Sequence, residues 1–185
     1  GDDLKDYYPK DKIPSKFRFK FWAGGSQAEI EVSEASIVIP RTWKTPGTTL
    51  VKTLNAKSEI KSDKGIKVSP VKGEVACALD SETDEAGFDF QEKIPFKPKG
   101  VAMLDLQGVL GGLVGLEALC WKADGALIKK VDVFKKLKSA GLVEVPFDKL
   151  SDPIPADTAK ISFRVRMNVK EATARIAGVF YGEAP

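Results

Sequence analysis

Apolar and polar residues alternate along much of this chain with a period of two, the pattern of strands that turn one face to a core and the other to water. The alternation is clearest in the last third, where Ile161, Phe163, Val165 and Met167 interleave with Ser162, Arg164, Arg166 and Asn168. A second run, Thr173 to Tyr181, is again rich in β-branched and aromatic residues, and Lys170-Glu171 forms the polar turn between the two. An isolated hairpin is marginal in water, so the preceding chain must supply the rest of a sheet.

The same pattern places the other elements. Gly1 to Ser15, with its lysines, aspartates, Pro9 and Pro14, reads as a solvated lead-in. Phe17 to Trp22 is a half-buried strand closed by the turn Gly24-Gly25-Ser26, and Ala28 to Val32 and Ser36 to Ile39 are short β runs ending at Pro40. Arg41-Thr42-Trp43-Lys44 forms a loop before Pro46. From Thr48 to Lys72 the apolar pairs are short and read as edge strands and loops. Val75 to Leu79 is a strand, Asp80 to Gly87 a loop, and Phe88 to Phe96 leads to a turn at Lys97-Pro98-Lys99-Gly100. Val101 to Val109 is a strand with Leu104 and Leu106 on one side and Met103, Asp105 and Gln107 on the other. A glycine-punctuated hinge, Gly108 to Gly115, precedes a strand from Leu116 to Lys122, and Ala123-Asp124-Gly125 is a hairpin signal. Lys129 to Leu142 stays ambiguous: Val131, Phe134 and Leu137 are spaced as on a helix face, yet Val131 and Val133 alternate as in a strand. Val143 to Phe147 returns to β.

Many short strands and no convincing helix predict an all-β, jelly-roll β-sandwich of two antiparallel sheets. At 185 residues, one such domain over 16–185 after the lead-in 1–15 accounts for the chain. No apolar run approaches the length of a membrane-spanning helix. The start at Gly1-Asp2-Asp3, without Met, is that expected of a chain whose leader has been removed, which points to a secreted or cell-envelope setting.

Composition narrows the chemistry. The formal charge of +3 does not by itself imply nucleic acid. The chain contains no histidine, which removes His-based acid–base catalysis, Ser–His and Cys–His nucleophile pairs and His-containing zinc sites. A glycosidase needs only two opposed carboxylates. Among 26 acids, Asp105 and Glu117, on predicted neighbouring strands, are the best pair, but acids on exposed strand faces are usually only solvated. The expectation is therefore no enzyme.

Cys77 and Cys120 lie in the apolar runs EVACALD and GLEALCWK. Two thiols define no disulfide framework, and the expectation is a pair of buried free thiols, with a bridge between two strands as the alternative. The acidic stretch DSETDEAG, residues 80–87, offers oxygen ligands for a structural calcium ion, although its spacing matches no calcium-loop template and a solvated loop is the plainer reading.

The ordered segments KPKGVAMLDLQGV, GLEALCWKADGALI, PIPADTAKISFRVRM and EATARIAGVFYGE resemble the C-terminal half of the jelly-roll carbohydrate-binding modules and their galactose-binding-like relatives, over about Phe88 to Glu183. The last strand departs from the commonest pattern, with Ala177-Gly178 where the family usually carries an acid near a bulge. The resemblance implies a β-sandwich and, often, glycan binding by secreted or cell-surface proteins, while many members serve only as spacers. Fold alone does not give function.

Sugar binding needs a flat aromatic surface and planar polar side chains for the hydroxyls. Trp22, Trp43 and Trp121 are the candidate platforms. Trp43, on a loop between Pro40 and Pro46, is the best exposed, and Trp121 shares a strand face with Leu119 and Glu117; core packing is as plausible for each. Arg164 and Arg166, with Arg175 on the following strand, form either a basic patch for an acidic or sulfated glycan or a set of ion pairs with acids on a water-facing sheet. Lys129, Lys130, Lys135, Lys136 and Lys138 read as a solvated rim. The function expected is a non-catalytic carbohydrate-binding or accessory module of an extracytoplasmic protein; the alternative is a structural or protein-interaction domain of the cell envelope, with a protein partner and no sugar site.

Overall fold

The computed structural model describes residues 43–71 and 73–185. The expected lead-in 1–15, the strands Phe17–Trp22, Ala28–Val32 and Ser36–Ile39, and Trp22 itself lie outside the described residues.

Twelve strands run in chain order among the described residues: β1 (Thr49–Leu54), β2 (Ile60–Ser62), β3 (Ile66–Val71), β4 (Glu74–Leu79), β5 (Glu85–Phe90), β6 (Ile94–Pro95), β7 (Gly100–Leu110), β8 (Leu113–Trp121), β9 (Leu127–Leu137), β10 (Gly141–Pro146), β11 (Lys160–Asn168) and β12 (Thr173–Glu183). They form a jelly-roll β-sandwich of two antiparallel sheets. The first has the order β10-β7-β12-β4-β3, with β1 continuing the β4 side of β12; the second has the order β2-β5-β11-β8-β9, with β6 continuing the β5 side of β11. The inner faces of both sheets meet in one core, with Phe88, Phe90, Phe163, Leu104, Ile176 and Tyr181 fully buried.

Local chemistry explains the connections. The β8–β9 hairpin closes at Ala123-Asp124-Gly125 as expected: Gly125 has φ +91°, Ala126 N–H donates to Asp124 Oδ1 at 2.9 Å, and Lys122 N–H donates to the Ala126 carbonyl at 2.9 Å. The 97–100 turn closes with Gly100 N–H on the Lys97 carbonyl at 2.8 Å. Lys97 N–H also donates to the buried Tyr181 hydroxyl at 2.8 Å, which fixes this turn to the core. Burial pushes the Tyr181 phenol well above its ordinary pKa, so it stays a neutral hydrogen-bonding group.

Several sequence readings change. The expected loop Asp80 to Gly87 gives way to β5 from Glu85, and the expected hinge Gly108 to Gly115 shrinks to a tight turn at 111–112 between β7 and β8. Residues 129–137, ambiguous between helix and strand, belong to β9. β11 and β12 are joined by a short turn but do not pair: β11 lies in the second sheet and β12 in the first. The turn carries Val169 at φ +78° and Glu171 at φ +58°, left-handed conformations that swing the chain from one sheet to the other.

Both cysteines are buried and unbridged, Cys77 on β4 and Cys120 on β8, in different sheets. Burial pushes the Cys77 thiol up to about 12 and raises that of Cys120. Neither thiol is therefore expected to react with a water-soluble aromatic disulfide at pH 8 in the folded protein, whereas both titrate in denaturant. A stoichiometric reaction of native protein at pH 8 would contradict this packing.

Candidate functional site

The outer face of the second sheet gathers the chain's polar side chains into rows. Because β11 turns Ile161, Phe163, Val165 and Met167 to the core, Ser162, Arg164, Arg166 and Asn168 must face outward. Cross-strand register then sets their neighbours: Trp121 beside Lys160, Leu119 and Lys130 beside Ser162, and Asp89, Glu117 and Asp132 in line with Arg164. Arg166 stands between Gly87 and Gly115, and Asn168 between Glu85 and Leu113.

Arg164 is the hub. Its Nη1 donates to Asp89 Oδ1 at 2.7 Å, its Nη2 donates to Asp63 Oδ2, and its Nε lies 3.6 Å from Glu117 Oε2. Gly87 makes this reach possible: a Cβ there would stand 3.1 Å from the Arg164 guanidinium carbon and press on the Val165 carbonyl. The Gly87 N–H also donates to Asp63 Oδ2, at 2.9 Å. For Asp63, partial burial opposes the charge, but the Arg164 hydrogen bond, the Gly87 N–H and the Arg164 charge outweigh it and hold the carboxyl below its ordinary range.

Arg166 forms the second node. It pairs with Glu85 at 3.2 Å, Glu117 at 3.3 Å and Asp132 at 3.4 Å, and Lys135 joins Asp132 at 3.3 Å. Glu117 thus sits between both guanidinium groups. Burial raises its pKa, and the charges of Arg166 and Arg164 offset that only in part.

At the opposite end stands Trp121, half-buried, its indole N–H donating to Ser162 Oγ at 2.9 Å. Lys93 Nζ lies 3.6 Å from the ring centroid and 3.3 Å from the Gly125 carbonyl, so an exposed ammonium covers the ring. The ring thus adjoins the Ser162 row.

The other candidates fall elsewhere. Trp43 packs on the outer side of the first sheet, where its ring edge would lie 2.8 Å from a Cβ at Gly182, and the adjoining Lys44 and Thr45 N–H groups donate to the Glu144 carboxylate at 2.6 and 2.8 Å. Arg175, on β12, is in the first sheet and pairs with Glu74 at 2.6 Å, so it does not join Arg164 and Arg166. The three arginines therefore form no single basic patch. Five carboxylates, Asp63, Glu85, Asp89, Glu117 and Asp132, surround the two guanidinium groups, and the ion-pair reading of these arginines is the one the geometry supports. The suggested carboxylate pair is likewise divided: Asp105, on β7, belongs to the first sheet and contacts Gln107 at 2.5 Å, whereas Glu117 faces out of the second. Among the described residues no group of three or more Cys, Asp or Glu side chains is placed to hold a metal ion, the stretch 80–87 included. No helix among them is long and apolar enough to cross a membrane.

Sequence reasoning missed Asp63, Asp89, Asp132 and Lys93. Asp89 was within reach, since Phe88 and Phe90 alternate around it; Asp132 lies in the stretch whose pattern is ambiguous, and Asp63 and Lys93 lie beside short strands with no pattern to place them.

No protein-family model and no curated protein matches the chain. Solved structures do. The chain is similar to the CBM22-1 xylan-binding domain of Xyn10C from Paenibacillus barcinonensis, at 6% identity and a TM-score of 0.53, covering 74% of this chain and 96% of that one. It is also similar to the family 11 carbohydrate-binding module of the cellulosomal cellulase Lic26A-Cel5E from Clostridium thermocellum, at 15% identity and a TM-score of 0.48, covering 75% and 95%. The first likeness shows the fold, a jelly-roll β-sandwich.

Proposed function

We propose that this protein is a non-catalytic carbohydrate-binding or accessory module of an extracytoplasmic protein, and that it lays a neutral poly- or oligosaccharide across the outer face of the second sheet. The observation that carries the reading is Trp121, a half-buried ring fixed by Ser162 at the end of a field of planar polar side chains. Such a ring stacks on the apolar face of a pyranose, while carboxylates and guanidinium groups supply acceptors and donors for its hydroxyls. Both guanidinium groups of this face are already engaged by carboxylates, which leaves neither free for bidentate pairing with a uronic or sulfated chain. The similar CBM22-1 domain is a xylan-binding domain, which puts xylan first in the panel to try. Glu117 and Asp105 lie on different sheets, so that pair does not act together in hydrolysis.

The second reading is a structural or protein-interaction domain of the cell envelope. It is favoured by one observation: both guanidinium groups on this face are already ion-paired, so the rows also serve as a stiffening lattice.

Intrinsic tryptophan fluorescence across xylan, mixed-linkage glucan, galactan and polygalacturonate separates the two. A saturable shift with a neutral polymer and none with polygalacturonate is expected. Lys93→Ala should tighten binding about two- to fivefold, because a cation over an exposed ring is worth about 0.5–1 kcal/mol and must be displaced. Silence across the panel would favour the second reading.

A further inference from the structure

Beyond Arg164 the outer face of the second sheet changes relief. Arg166 stands in the row Gly87–Arg166–Gly115, with no side chain to either side in its row. A cleft of about 10 Å³ opens here, lined by Glu85, Leu113, Gly115, Lys135, Arg166 and Asn168. That is room for one water-sized group. A side chain at Gly115 would close in on it from below, since its Cβ would lie 2.9 Å from the Lys135 carbonyl oxygen.

Two of the residues lining this cleft carry a buried polar atom without a hydrogen-bond partner: Arg166 Nε and Asn168 Oδ1. Arg166 Nε is 3.3 Å from Glu117 Oε1 but is not aligned to donate to it. Buried polar groups are nearly always satisfied, and an unmet donor and an unmet acceptor on two residues that line one small cleft call for a group able both to accept and to donate. Among small neutral groups that is a hydroxyl.

We infer that the Arg166–Asn168 cleft is a second sugar subsite, which takes one hydroxyl group of a neutral glycan whose chain also reaches Trp121. This rests on the glycan-binding reading and adds to it a residue-level site and a length requirement. The hydroxyl oxygen accepts from Arg166 Nε–H while its proton goes to Asn168 Oδ1. A carboxylate substituent is refused, being larger than the cleft and facing Glu85, and each Arg166 nitrogen already has a carboxylate near it. Six residues of β8 separate the Trp121 row from the Gly115 row, which at about 3.3 Å per residue is roughly 20 Å. Only a long oligosaccharide spans both.

The test is a ¹⁵N–¹H titration of the full chain with xylohexaose and with cellohexaose, following the Trp121 indole N–H, the Arg166 Nε–H and the Asn168 side-chain amide, alongside Asn168→Ala. The expected result is that all three signals shift and saturate together. Asn168→Ala should weaken hexasaccharide binding about fivefold, the size of one lost hydrogen bond. A Trp121 shift with Arg166 and Asn168 unmoved, and a variant that binds the hexasaccharide as tightly as the parent, would overturn the subsite while leaving the glycan-binding reading intact. No shift at any of the three with either hexasaccharide would overturn both.

Discussion

Replacing Arg164 with alanine is expected to cost about 2–3 kcal/mol of stability at pH 7, lowering the unfolding midpoint by roughly 4–12 °C. The guanidinium group is largely buried, at 13% exposure, and its loss strands three carboxylates at once. Breaking a fully buried pair typically costs about 3–5 kcal/mol; the smaller figure here reflects Asp63 and Asp89, which at 42% and 28% exposure keep part of their hydration. Arg164→Lys should recover only part of the loss, since a single ammonium cannot address Asp63, Asp89 and Glu117 in the fixed directions of a guanidinium fork.

The pH dependence of that loss has a definite sign. Asp63 has a depressed pKa in the folded protein, so the stability it contributes is present above its unfolded value near 3.9 and fades as the pH falls through the folded value. Removing Arg164 removes much of that contribution at neutral pH and little once the carboxyl is protonated. Glu117 has the opposite sign. Its folded pKa is already raised by burial, and without Arg164 it rises further, so its ionisation destabilises the variant as the pH climbs above about 4.3. Both effects make the difference between variant and parent larger at pH 7 than at pH 4. Urea unfolding at the two pH values measures it; an equal loss at both would show that Arg164 acts through packing of its stem instead of through charge.

How far the fold was legible follows from what alternation can encode. In β11 a strict period of two marks the core face, and the Ala123-Asp124-Gly125 hairpin was correctly placed because its chemistry is local. β9 was ambiguous for a physical reason. Its partners on β8 are Val131↔Ala118, Phe134↔Leu116 and Leu137↔Val114, so the strand spends three residues where β8 spends two, twice over. Each extra residue is a bulge, and two of them in succession give core positions the spacing of a helix face. The separation of β11 from β12 was hidden because alternation tells which face is buried, not which sheet a strand joins. The turn that separates them puts Val169 in a left-handed conformation that a β-branched residue gives no sign of adopting.

The same limit governed the site. Alternation placed Arg164 and Arg166 on an outward face and put Trp121 on one face with Glu117 and Leu119, leaving open whether that face was buried. The partners that cancel the positive charge lie 101 residues away at Asp63 and 75 away at Asp89, and only the sheet order brings them together. A basic patch and a neutralised lattice thus look alike in one strand and differ once its neighbours are known. Trp43 shows the converse: flanking prolines marked a loop, but a tryptophan on a loop still seeks apolar contact, and Gly182 leaves the space for it.

If the outer face of the second sheet binds glycan, Trp121→Ala should weaken binding of a neutral oligosaccharide by roughly 30-fold or more, the loss of about 2 kcal/mol that marks an aromatic anchor. The substitution also removes the hydrogen bond to Ser162, which is only 2% exposed and would keep a buried hydroxyl without its partner. Weaker binding by the alanine variant alone would therefore be open to a structural explanation. Trp121→Phe resolves it. Phenylalanine likewise cannot donate to Ser162, so both variants should lose a similar stability increment of about 1 kcal/mol, but it keeps a flat ring and should hold binding to within about fivefold of the parent. Isothermal titration calorimetry gives affinity and urea unfolding gives stability for all three proteins. A split between the variants in affinity without a matching split in stability identifies the ring as the platform. Equal affinities in alanine and phenylalanine variants would mean that Trp121 only orders the sheet, and the sugar site would have to be sought away from the Lys93–Trp121 end of this face.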